Sequence, residues 1–87
     1  MTYTVVFSKS ARRAIAALPQ TVAWAVLAFC GGPLAENPQR VGKPLIGPLQ
    51  GLHSARRGEY RVIYSIDDDR IVVAVVSIRH RADAYRR

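Results

Sequence analysis

The sequence predicts a small α+β domain: a mainly antiparallel, hairpin-built sheet with two N-terminal helices packed on one face. Three observations carry this. Tyr60–Tyr64 and Ile71–Ile78 are rich in Val, Ile and Tyr and flank Asp67-Asp68-Asp69, the pattern of a hairpin with its tip near Asp68. Between Lys9 and Leu18, Ala11, Ala14, Ile15 and Leu18 follow the i, i+3, i+4, i+7 spacing of an amphipathic helix. The stretch that follows, from Gln20 to Cys30, is apolar almost all the way round. A chain of 87 residues holds one core, so residues 1–87 read as a single domain.

Tyr3 to Phe7 alternates Tyr3, Val5 and Phe7 against Thr4 and Val6 and is the first strand. Ser8 offers an N-cap to the first helix, which turns Arg12 and Arg13 outward. Pro19 ends that helix and opens the second. In the second helix Val22, Ala25, Val26, Phe29 and Cys30 form one face, and Trp24, Leu27 and Ala28 the other. A two-helix layer on a sheet is expected to bury both faces; a partly exposed Trp24 or Leu27 would instead mark a protein interface. Cys30 reads as a buried structural thiol.

Gly31 to Gln50 contains four of the five prolines and four of the six glycines, so it is expected to be irregular, with one helical turn at Leu34–Glu36. Gly42-Lys43 is not a phosphate loop, because no glycine stands five residues earlier and Pro44 occupies the Ser/Thr position. Leu52–Arg56 is a short strand. A tight turn at Arg57-Gly58 would pair Arg56 with Glu59 and Ser54 with Arg61, leaving Ser54, Arg56 and Arg61 on one face. On the last strand Arg79 is expected to share a face with Ser77 and Val75. An odd hairpin loop, such as Asp67–Asp69, would put that face beside Arg61, and an even one would put His80 there. Residues 82–87 form a short tail in which Tyr85 is either an anchor on the sheet or a reactive-site residue.

The formal net charge is +7, and 11 of the 13 basic residues are arginine. That balance favours nucleic acid or an acidic protein over a neutral metabolite. One cysteine excludes an internal disulfide, and Cys30, His53 and His80 match no metal spacing, so neither metal nor cofactor is expected. The N-terminus lacks an export signal and no segment approaches membrane-spanning length, which points to a cytoplasmic protein without a membrane partner. Paired carboxylates, a Ser-His-Asp set and a Gly-rich nucleotide loop are absent from the pattern. Arginine, histidine and tyrosine around one sheet face suit RNA cleavage by its own 2′-hydroxyl, where charge gathers on the phosphorane and the leaving 5′ oxygen needs a proton. Simple phosphate binding would use the same arginines.

Arg56, Gly58-Glu59-Tyr60-Arg61-Val62-Ile63-Tyr64, and Ile78-Arg79-His80-Arg81-Ala82-Asp83-Ala84-Tyr85 after a Val/Ile-rich strand resemble the RelE/ParE superfamily of bacterial toxins, on its RelE branch. The resemblance extends to the opening strand, the Ser-Ala-Arg-Arg helix start and Gly42–Leu45. It implies a β-α-α-β-β-β fold and a toxin of a type II toxin–antitoxin system, an endoribonuclease that cuts mRNA in the ribosomal A site. The implied partners are the ribosome, mRNA and a cognate antitoxin, including a toxin–antitoxin heterotetramer. By position, the resemblance gives Arg61 the scissile phosphate, Arg81 charge stabilisation or leaving-group protonation, and Tyr85 the stacking or orienting of the nucleotide. Leu52 and Ser54 stand where RelE members carry lysines, leaving Arg56, Arg57 or His80 as substitutes in proton transfer. Arg56, Arg57, Arg79 and Lys43 complete the candidate RNA-binding set. Two other readings stay open: a ParE-like inhibitor of DNA gyrase without nuclease chemistry, and a non-toxic basic RNA-binding module.

Overall fold

In the computed structural model, which describes residues 2–81, strand β1 (Thr4–Phe7) leads through Ser8 into helix α1 (Lys9–Ala16). The Ser8 hydroxyl accepts from the Ala11 amide at 3.0 Å, the cap expected from its position. After Pro19 comes α2 (Gln20–Gly31), followed by two single-turn helices, α3 (Pro33–Glu36) and α4 (Pro38–Val41), each opened by a proline. The connection expected to be irregular is therefore more ordered than composition indicates. It also contributes β2 (Lys43–Pro44) and a 3₁₀ turn at Gly47–Leu49. Strands β3 (His53–Arg57), β4 (Tyr60–Asp67) and β5 (Val72–His80) complete a five-stranded sheet of order β1-β5-β4-β3-β2. Its only parallel pairing among the described residues is β1 with β5.

The core lies between the helices and one sheet face, where Ala11, Val26, Phe29, Cys30 and Leu34 meet Ala55, Val62, Tyr64, Val73, Val75 and Ile78. Tyr64 is fully buried, and its hydroxyl donates to the Pro38 carbonyl at 2.6 Å, tying α4 to the sheet. Gly42 then passes so close that a Cβ there would run into the Tyr64 hydroxyl and stand 2.8 Å from the Ser54 carbonyl. One expectation fails here. Trp24 is 63 % exposed and Leu27 42 %, because α1 lies over β5 and leaves that side of α2 uncovered. No helix among the described residues is long and apolar enough to cross a membrane.

Two registers also differ from expectation. The β3–β4 turn is Gly58-Glu59, with Gly58 at φ +62 in the first central position, so Arg57 pairs with Tyr60, Arg56 with Arg61, and Ser54 with Ile63. The shift is even, so the residues keep their faces while changing their partners. The β4–β5 loop runs over four residues, 68–71, with Asp67 opposite Val72 and Ile71 at φ 58. A bulge then leaves Val76 unpaired, since Ile63 pairs with Ser77 but Tyr64 with Val75. The bulge moves Val75 to the core face and Ser77 with Arg79 to the opposite one, so the expected Val75–Ser77–Arg79 face does not exist. The Ser8 hydroxyl donates to the Val76 carbonyl at 2.8 Å and so satisfies the bulge that it helps to hold.

Candidate nucleic-acid interface

The face of the sheet turned away from the helices carries the candidate site. Across three adjacent strands, Arg56, Arg61 and Arg79 stand directly opposite one another in a single row. Neighbouring strands lie about 5 Å apart, so three like charges are held side by side and concentrate positive charge on this face. One step further, Arg81 continues the register opposite Glu59: its amide donates to the Glu59 carbonyl at 2.6 Å, and its guanidinium lies 3.9 Å from the Glu59 carboxylate. Both side chains are more than half exposed, and such a pair holds Arg81 only weakly.

Two residues back along each strand runs a second row, Lys43, Ser54, Ile63 and Ser77, on β2, β3, β4 and β5. Ile63 is 8 % exposed although it faces away from the main core, because the segment Leu45–Leu52 folds over this side. Between that segment and the start of α1 lies a cleft of about 560 Å³, with Leu45, Leu49 and Val76 as its apolar wall and Arg61, Arg79 and Ser77 as its polar one. The apolar wall was not legible beforehand. Its leucines are scattered through a Gly/Pro-rich stretch with no period, and only the chain's path brings them to the arginines.

The remaining candidates divide. Arg57 and His80 alternate onto the helix face, where His80 meets the ring of Tyr60 edge-on at 5.1 Å. Arg57 and Tyr60 line a separate cleft of about 330 Å³ against α2. The structure therefore does not bring Arg57 or His80 together with Arg61. Lys43 lies on the Arg61 face, exposed. His53 stacks on Tyr64 at 5.5 Å within the helix side of the sheet. Tyr85 lies outside the described residues. Tyr64, the second tyrosine of the central strand, is structural: burial pushes its hydroxyl up to about 12, beyond ordinary proton exchange. Burial likewise pushes the Cys30 thiol up to about 11, which fits an inert core thiol.

The family described as the ParE toxin of the type II toxin-antitoxin system parDE matches residues 5–85. The chain belongs to the RelE/ParE superfamily of type II toxins. It is 49 % identical to Toxin RelG of Mycobacterium tuberculosis over 87 residues, covering all of both chains. It is 48 % identical to Toxin RelE of the same organism over 84 residues, 97 % of this chain and 87 % of that one. The crystal structure of the toxin–antitoxin complex RelBE2 from M. tuberculosis aligns with a TM-score of 0.90 at 46 % identity, over 93 % of this chain and 100 % of its counterpart. The α+β fold and the RelE/ParE resemblance are thus both borne out, and the arginine row is a feature of a type II toxin.

Proposed function

We propose that this toxin is a ribosome-dependent endoribonuclease that cuts mRNA in the A site by attack of the RNA's own 2′-hydroxyl. The observation that carries the reading is the row Arg56, Arg61 and Arg79 at the mouth of a cleft with one apolar wall. In the reaction the 2′ oxygen gives up its proton and forms a bond to the adjacent phosphorus, while the bond from phosphorus to the 5′ oxygen breaks and that oxygen takes up a proton. The products are a 2′,3′-cyclic phosphate and a 5′-hydroxyl. Arg61, central in the row and flanked by Arg56 and Arg79, neutralises the charge that builds on the phosphorane. In this proposal Arg81, at the rim beside Glu59, serves charge stabilisation or protonation of the departing 5′ oxygen, and Tyr85 serves to stack or orient the nucleotide. His80 faces the other side of the sheet and is left out of this mechanism.

The partner is a cognate antitoxin that covers the basic face, in a complex of the kind seen for the M. tuberculosis RelBE2 relative, up to a heterotetramer. A second reading, gyrase inhibition, is favoured by the ParE description of the matching family and by Leu52 and Ser54 at the lysine positions. Primer extension on mRNA in a translating extract decides between the two. Cuts inside codons that require translation and vanish in Arg61→Ala support the nuclease. An intact message together with inhibited gyrase supercoiling would overturn it.

A further inference from the structure

Among the described residues, Ser54 carries a buried hydroxyl on the cleft face that has no hydrogen-bond partner. The residue as a whole is 9 % exposed. A buried hydroxyl without a partner is costly, and native chains keep few of them. Ser54 lines the cleft that Arg61 and Arg79 also line. Directly across the β2–β3 ladder stands Lys43, exposed and on the same face. Its backbone is pinned, because neighbouring Gly42 is seated against Tyr64 and the Ser54 carbonyl.

We propose that Lys43 and Ser54 form a second subsite, which holds the RNA phosphate next to the one at the arginine row. The two rows are two residues apart, roughly 6.7 Å along the strands, close to one step of an extended single strand. A flexible ammonium supplies charge and the hydroxyl, on a strand position, supplies a donor, so the pair suits a phosphate oxygen. Ile63 lies between Ser54 and Ser77 in the same row and keeps the floor of the subsite apolar. This assignment rests on the reading of the cleft as an RNA site.

The test is an NMR-detected titration at low salt with two uncleavable 2′-O-methyl RNAs, a dinucleotide with one phosphate and a trinucleotide with two. The wild type is expected to bind the trinucleotide about tenfold more tightly. Lys43→Gln and Ser54→Ala each lose most of that gain and weaken the trinucleotide far more than the dinucleotide, and Lys43→Gln lowers the trinucleotide's salt slope by roughly one. Arg61→Ala weakens both ligands. Ser54→Ala removes an unpartnered hydroxyl, so its melting temperature should equal or exceed the wild type's, and Lys43→Gln reads the subsite at an exposed position. If either variant keeps the full gain while Arg61→Ala still weakens binding, the paired subsite is overturned and the arginine site stands. If the wild type binds neither RNA, both are overturned.

Discussion

Arg56 stands directly opposite Arg61 across the β3–β4 ladder, with Arg79 opposite Arg61 on the other side. Three guanidinium-bearing residues in one row across adjacent strands concentrate positive charge on that face, which suits an anionic ligand such as a phosphate.

The row predicts unequal losses. Arg61→Ala should lower mRNA cleavage about 10²–10³-fold, the range for removing one preorganised donor from a transition-state charge. Arg56→Ala, at the exposed margin, should cost roughly tenfold or less and mainly flatten the salt dependence. Arg61→Lys should rescue poorly, because a point charge does not reproduce a planar fork. Quantified primer extension separates these, and equal losses for Arg56→Ala and Arg61→Ala would remove the central role of Arg61.

Ser8 joins a helix cap to a sheet bulge, accepting from Ala11 and donating to Val76. Ser8→Ala should destabilise the fold by about 1–2 kcal/mol in urea unfolding. It should also weaken cleavage, because the bulge at Val76 sets which face Arg79 occupies. Unchanged activity at reduced stability would show that the bulge holds without the cap.

Gly42→Ala has nowhere to place its methyl group, between the Tyr64 hydroxyl and the Ser54 backbone. A loss of about 1–3 kcal/mol is expected from urea titration. Tyr64→Phe, which leaves the Pro38 carbonyl without the Tyr64 hydroxyl, should cost about 1–2 kcal/mol by the same measurement.

Alkali should destabilise the fold over two overlapping pH windows. Burial raises Cys30 from 9.0 to about 11 and Tyr64 from 10.0 to about 12, so the folded chain keeps protons that the unfolded chain releases. Their contribution is intact below pH 9 and is lost as pH rises toward 11 for Cys30 and from 10 toward 12 for Tyr64. Each group contributes a slope of about 1.4 kcal/mol per pH unit within its window. Urea midpoints measured from pH 8 upward should fall accordingly, and Cys30→Ala should remove the part of the fall that begins near pH 9.

Much of the architecture was legible because it depends on local pattern. The cap at Ser8, the Pro19 break, both long helices and the three C-terminal strands follow from periodicity and turn residues. The helical turn expected at Leu34–Glu36 is α3, whereas α4 and β2 escaped notice because each is too short to show a period. Trp24 and Leu27 looked like core because hydrophobicity alone does not say where a second layer ends.

The candidate site was legible in its residue types and only half legible in its geometry. Arg56 and Arg61 were expected on one face, and an even register shift preserves that. Val75 was misplaced because Val72-Val73-Ala74-Val75-Val76 is uniformly apolar, so nothing in it betrays an extra residue. The sequence by itself determined the superfamily, the layers and the excess of arginine, since composition, spacing and motif are properties of the chain. Only the tertiary structure decided that Arg56, Arg61 and Arg79 share one row, that Arg57 and His80 turn away, and that Lys43 stands beside Ser54. Faces alternate with every residue, so one bulge at Val76 and one two-residue turn at Gly58-Glu59 decide which side chains meet.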